Sequence, residues 1–179
     1  MAIPMGQLIT PSSVAGSGVS LSGAKVVFTT ANSININGVF DSTYDNYLIV
    51  IRNLGNTNIS VDARLRLAGS DASTTAYTRQ VLDAYGTTVS GTRDTSQTWA
   101  RLMNARSTQN GGAHIYIYGP ALAQPTAFRS VTIDPQSAGV AIADNACTHS
   151  VSTAYDGITL FVQGADTTTG ALTIYGLSQ

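Results

Sequence analysis

Glutamate is absent from this 179-residue sequence, and lysine occurs once, at Lys25. The ten acidic residues are therefore all aspartates, and the other basic residues are arginines. Glutamate and lysine are good helix formers on exposed surfaces. In their place the chain is rich in Thr, Ser, Gly, Asn and Val, which are typical of strands and turns. The composition therefore predicts an all-β protein.

Other scarcities exclude whole classes of protein. A single cysteine, Cys147, rules out an intrachain disulfide. Charged residues make up 11% of the chain and the net charge is −1, so the basic surface of a nucleic-acid binder is missing. No apolar run approaches the roughly 18 residues of a membrane span, and the N-terminus lacks the pattern of a signal peptide. We expect a protein made in the cytoplasm that contacts neither nucleic acid nor membrane.

The sequence divides into two parts. Residues 1–23 contain Pro4 and Pro11 and end in a Gly/Ser-rich run without hydrophobic periodicity. This composition predicts an extended N-terminal arm that becomes ordered against a neighbour. Residues 24–179 are predicted to form a single β-sandwich domain.

Short strand-like segments separated by turn residues fill the second part. In 58–68, Ile59, Val61 and Leu65 alternate with polar residues, as in a half-buried antiparallel strand. About ten such segments, with no helical pattern and no internal repeat, favour a jelly roll. The predicted strands are 24–30, 33–38, 46–54, 58–68, 98–105, 113–119, 126–134, 139–146, 157–164 and 171–177, with a weaker candidate at 78–82 in the polar stretch 69–97.

The segment VFDSTYDNYLIVIRNL (39–54) permits two interpretations. Asp41 and Asp45 beside tyrosines resemble a catalytic or metal site, but Asp-Ser-Thr is also a favourable turn. The run that follows is apolar on both faces, although a two-layer sandwich buries only one. We therefore predict that a second copy of the chain covers this strand, with Tyr47, Ile49, Ile51 and Trp99 at the subunit interface.

Candidate catalytic and metal-binding groups are few. Cys147 and His149 lie two residues apart and would share a strand face, which is compatible with a metal pair or a nucleophile and base. Glycoside hydrolysis would need two close carboxylates. The pairs Asp41/Asp45 and Asp62/Asp83 could be considered, but most aspartates here lie in turn-like contexts. The sequence predicts no enzyme activity and no cofactor.

One row of residues suggests a binding face. In 113–119, His114, Tyr116 and Tyr118 share one side of the predicted strand, opposite Ile115 and Ile117. Aromatic rows stack on sugars or on partner proteins. Tyrosine is also a good strand residue, so the row could be purely structural or lie inside an oligomer.

Residues 28–69 begin FTTANSININGVFDSTYDNYLIVI, and the chain ends in TGALTIYGLSQ. Both segments resemble small structural proteins of tailed bacteriophages, whereas 70–168 shows no matching motif. The resemblance implies a virion β-sandwich that forms homotrimers. Such a protein serves as a decoration (cement) protein bound to the major capsid protein on the capsid surface. Alternatively, it is a head-fibre or tail-fibre module that binds host surface glycan.

Overall fold

The computed structural model describes residues 6–107, 109–136 and 139–178. In these ranges the chain forms sixteen strands and no helix, which confirms the all-β prediction. The strands are β1 (Gln7–Ile9), β2 (Ser13–Ala15), β3 (Val19–Ser22), β4 (Lys25–Ala31), β5 (Ser33–Asn37), β6 (Asn46–Gly55), β7 (Ile59–Leu67), β8 (Ser70–Asp71), β9 (Tyr77–Tyr85), β10 (Thr88–Gln97), β11 (Ala100–Ala105), β12 (Gly111–Tyr118), β13 (Thr126–Gln136), β14 (Gly139–His149), β15 (Gly157–Val162) and β16 (Thr168–Leu177).

Two antiparallel sheets pack around one apolar core. The larger sheet has the order β10-β9-β14-β13-β12-β6-β16-β4-β3, and β1 pairs with the end of β16. The smaller sheet has the order β11-β7-β15-β5-β2, and β8 pairs with β7. Alternating side chains from both sheets fill the space between them, among them Phe28, Ile49, Ile115, Leu65, Leu102 and Ile158. Period-two alternation therefore correctly identified most of the core-facing positions.

The polar stretch 69–97 contains a long hairpin that the sequence pattern underestimates. Strands β9 and β10 pair from Tyr85 and Thr88 at the turn back to Tyr77 and Gln97. The sequence predicted only a short strand at 78–82, because β10 is built almost entirely of Thr, Ser, Gly and charged residues. Its residues are mostly exposed on both faces. Alternation is a weak signal for a strand that buries neither face.

Residues 7–22 are part of the two sheets, which differs from the extended arm predicted for 1–23; residues 1–5 lie outside the described ranges. Strands β1, β2 and β3 pair with β16, β5 and β4 of the same chain. Gly16 and Gly18 have positive φ angles of 134° and 73°. A Cβ at Gly18 would lie 2.0 Å from the carbonyl oxygen of Thr29, so glycine is required for this close approach.

The outward face of β7 is covered by a polar network. Asp62 is 0% exposed and accepts hydrogen bonds from Arg101 Nε at 2.9 Å and from Gln163 Nε2 at 2.6 Å. Arg66 is 7% exposed, pairs with Asp71 and donates to Thr159 Oγ1 at 2.6 Å. These charges are thus neutralised within the chain, as buried charges must be.

The two segments that carry the phage resemblance meet in the centre of the larger sheet. Strand β6 pairs with β16 along its whole length, with Tyr47 opposite Gly176. The ring of Tyr44, just before β6, lies on Gly176: a Cβ there would be 2.3 Å from its Cδ2 atom. The Tyr-Asp-Asn-Tyr and Tyr-Gly motifs are therefore two sides of one contact.

We expect Gly176→Ala to lower the free energy of unfolding by about 1–3 kcal/mol, because the added methyl displaces the Tyr44 ring. Urea unfolding of the wild type, Gly176→Ala, Tyr44→Ala and the double variant measures this effect. In the Tyr44→Ala background the glycine substitution should cost less, since the obstructing ring is gone. An equal cost in both backgrounds would show that the ring is not the obstacle.

Candidate interaction surface on the larger sheet

Four strands extend the larger sheet past β12, in the order β13, β14, β9 and β10. Strand β11, at the edge of the smaller sheet, packs on the inner side of β13 and β14. On the inner side of this four-strand extension the side chains are largely polar. They line a cavity of about 120 Å³ against β11, which includes Arg79, Asp83, Arg101, Asn104 and Asn145. Arg79 pairs there with Asp94, and burial raises the pKa of Asp83.

The outer side of the extension is aliphatic. Along β13, Ser130, Thr132 and Asp134 point inward and are buried, whereas Val131 and Ile133 point outward and are exposed. This arrangement inverts the usual pattern, in which apolar residues face the core. We call the six outward aliphatic side chains the apolar patch: Leu82 (56% exposed), Val89 (66%), Val131 (48%), Ile133 (57%), Val140 (59%) and Ile142 (58%).

Strand register places the patch in straight cross-strand rows. Ile133 on β13 lies opposite Gly112 on β12 and Ile142 on β14, and the row continues through Ala84 to Val89. Because Gly112 has no side chain, the sheet surface is depressed at that end. The depression has a volume of about 300 Å³, and its walls include Val50, His114, Val131, Ile133 and Ile142.

The predicted aromatic row borders this patch. His114 and Tyr118 are exposed and Tyr116 is half-buried, all on the outer face of β12. The rings of Tyr116 and Tyr118 are 6.4 Å apart between centroids and only 14° from parallel. Arg129 lies directly opposite Tyr116 on β13. The structure thus brings the three residues together on the face that also carries the exposed aliphatic side chains.

The residues predicted for a subunit interface lie elsewhere. Tyr47, Ile49 and Ile51 are buried in the core of the chain itself, so they cannot contact a second copy without opening the sandwich. The outward residues of this strand are Leu48 and Val50, both half-buried. Trp99 is also half-buried, and the guanidinium carbon of Arg101 lies 5.1 Å from its ring centroid.

The aspartates of the opening segment serve the turn before β6. The Thr43 amide donates to Asp41 Oδ1 at 2.8 Å, which is the Asx-type turn expected from the sequence. The Tyr47 hydroxyl donates to the Asp41 carbonyl at 3.0 Å and accepts from the Asp41 amide at 2.9 Å. Burial raises the pKa of Tyr47. The carbonyl of Asp45 accepts from the Gly119 amide at 2.8 Å, so hydrogen bonds hold the chain at both aspartates.

Cys147 and His149 face inward on β14, as their spacing predicts, but they have separate partners. The Cys147 thiol donates to the Arg101 carbonyl at 3.4 Å, and burial raises its pKa to about 12, so the reactive thiolate is disfavoured. His149 is fully buried, with Nδ1 3.3 Å from Tyr155 Oη, and its ring centroid lies 4.3 Å from that of Tyr77. Among the described residues no group of three His, Cys, Asp or Glu side chains could hold a metal ion.

Burial lowers the pKa of His149 below that of the unfolded chain. The fold with a neutral, buried His149 therefore has its full stability above the unfolded pKa of about 6.5. Below this pH the unfolded chain takes up a proton before the folded chain does, so stability is lost as the pH falls. Urea midpoints measured between pH 8 and 5 should fall less steeply for His149→Phe than for the wild type. The exposed His114→Asn is the control and should keep the wild-type slope. Equal slopes for all three chains would contradict the assignment.

Comparisons of this chain with protein-family models, with curated proteins and with solved structures found no match. Within the described part of the chain, no helix is long and apolar enough to cross a membrane. Sequence reasoning missed the apolar patch because Val131 and Ile133 alternate with Ser130 and Thr132 as core residues would. Asp134, an acidic residue in phase with the small polar residues, favours the same interpretation, so the sequence of β13 carries no signal of the inversion.

Proposed function

We propose that this chain is a structural protein of the bacteriophage virion that decorates the outer capsid shell and stabilises it. The observation that carries the proposal is an exposed aliphatic surface mounted on paired strands. Exposed patches of this kind mark protein contacts. Such a surface is typical of a subunit of an assembly. The resemblance of 28–69 and 169–179 to phage structural proteins supplies the assembly, which is the capsid with its major capsid protein, and implies a homotrimer.

We propose further that the two sheets form a jelly roll. Eight strands form its frame: β4, β5, β6, β7, β11, β12, β15 and β16. In one sheet the frame strands have the order β4-β16-β6-β12, which are the first, eighth, third and sixth of the eight in chain order. In the other sheet the order is β5-β15-β7-β11, which are the second, seventh, fourth and fifth. This alternation between sheets is that of two interleaved Greek keys, and viral capsid domains use the same architecture. In this scheme β8–β10 and β13–β14 are insertions that build the four-strand extension.

Purified protein mixed with capsids that lack decoration should bind saturably and raise the temperature at which the shells rupture. Co-sedimentation measures binding, and calorimetry measures shell stability. Capsids already carrying their full decoration are the control and should bind no further copies. An absence of binding at micromolar concentration would contradict the proposal that the chain decorates the capsid.

A fibre-type receptor-binding module is the second candidate, because Tyr116 and Tyr118 form a parallel pair of rings beside the exposed His114. Such platforms stack against sugar rings. In this case Tyr116→Ala should reduce adsorption to host cells or to glycan arrays at least about tenfold. Tyr85→Ala removes an exposed tyrosine on the opposite face and should leave adsorption unchanged. If Tyr116→Ala adsorbs as well as Tyr85→Ala, the receptor-binding candidate is wrong.

A further inference from the structure

We propose that the apolar patch is a self-association interface, in which two copies of the chain pack face to face about a two-fold axis running along β14. The pairing does not rest on the proposed attachment to a capsid, since it concerns the free protein. The partner is a second copy of the same surface. The area of the patch, its charge and the sizes of the side chains along each row favour this partner.

The area of the patch matches the centre of a stable interface. Its six side chains each expose about half or more of their surface, which amounts to on the order of 500 Å² of aliphatic surface. A specific interface buries about 800 Å² on each partner, with an apolar centre and a polar rim. The neighbouring residues His114, Tyr116 and Arg129 supply such a rim along one side.

The charge of this surface favours a copy of itself over a charged partner. Asp144 lies in the row between Val131 and Leu82, and its carboxylate pairs with Arg129 at 2.6 Å on the same face. The rows through Ile142 and Asp144 therefore carry no net charge for an oppositely charged protein to recognise, and the exposed Arg93 lies at the rim, opposite Gln80. Interfaces between identical subunits are the more apolar class.

The sizes of the side chains are complementary under the two-fold operation. A two-fold rotation about this axis reverses the order of the strands along each row. Strand β12 of one copy therefore faces β10 of the other copy, and β14 faces β14. In the row through Ile142, Val89 then enters the depression above Gly112 of the partner. Ile133 meets Ala84, and Ile142 packs on its own copy. Large residues thus face small ones on both sides of the axis.

The adjacent row fits the same operation. His114 faces Gly91 of the second copy, and Val131 faces Leu82. Asp144 approaches its own copy at the axis, but each carboxylate brings its Arg129 guanidinium with it. Two arginines and two aspartates then form a neutral cluster beside the aliphatic contacts.

The first test is the mass of the free protein by sedimentation equilibrium over a range of concentrations. The pairing predicts an even multiple of 18.6 kDa, whereas the resemblance implies a trimer. Ile142→Asp places two carboxylates at the axis and should weaken association at least about 100-fold. Leu67→Asp, with a similarly exposed aliphatic residue on the smaller sheet, should associate like the wild type. Thermal unfolding of dilute Ile142→Asp checks that the variant folds.

A monomer at every concentration, or a trimer whose mass Ile142→Asp does not change, would overturn the inference. Loss of capsid binding with the pairing intact would instead contradict only the proposed function. A hexamer that Ile142→Asp splits into trimers supports both, because two trimers would then be joined across the patch.

The second test concerns geometry. His114→Cys and Gly91→Cys each carry one exposed thiol, since the native Cys147 is buried. A Cβ at Gly91 has its nearest neighbour at 3.6 Å, so the substitution fits. A short bismaleimide should link the two variants when they are mixed. Neither variant should link to itself, because equivalent positions lie four strand spacings apart, about 19 Å. Linking within a single variant would contradict the two-fold arrangement.

Discussion

The pairing of β6 with β16 is the contact from which the rest of the structure extends. These strands are the third and eighth of the proposed frame, and they run side by side from Asn46 opposite Leu177 to Gly55 opposite Thr168. On one side β16 carries β4 and the N-terminal strands, and on the other β6 carries β12 and the extension. Tyr44, Tyr47 and Gly176 fix its end, with a ring on a glycine and a hydroxyl bonded to the turn. Register at this ladder therefore determines which residues face outward in every strand beyond it.

The extension shows how unequal sheets change the distribution of polarity. Strand β11 packs on the inner side of β13 and β14, and polar side chains, among them Arg79, Asp83 and Asn145, line the cavity between the two sheets there. The outer face of the same strands carries aliphatic residues instead. A sheet whose polar side faces its own chain has its apolar side free for another protein. This asymmetry is the structural basis of the proposed self-association.

Sequence reasoning reached the fold class and most of the strands, because composition and period-two alternation are local signals. It also identified the Asx turn at Asp41 and the shared face of His114, Tyr116 and Tyr118. It assigned Tyr47, Ile49 and Ile51 to a subunit contact, since a run that is apolar on both faces does not reveal which face meets the core. The alternation in β13 could not show that its polar face points inward. That depends on β11 of the other sheet, which packs on β13 and whose Leu102 carbonyl accepts a hydrogen bond from Ser130 Oγ.

The β6–β16 ladder also constrains the order of folding. More than a hundred residues separate the two strands in sequence, and contacts over such separations form late because loop closure is costly. During synthesis β6 emerges long before β16, so its apolar residues are exposed until β16 is made. The hairpins β9–β10, β12–β13 and β13–β14 join neighbouring segments and can form first. Most ladders of the extension are thus local in sequence, whereas the frame that holds it closes over a long separation.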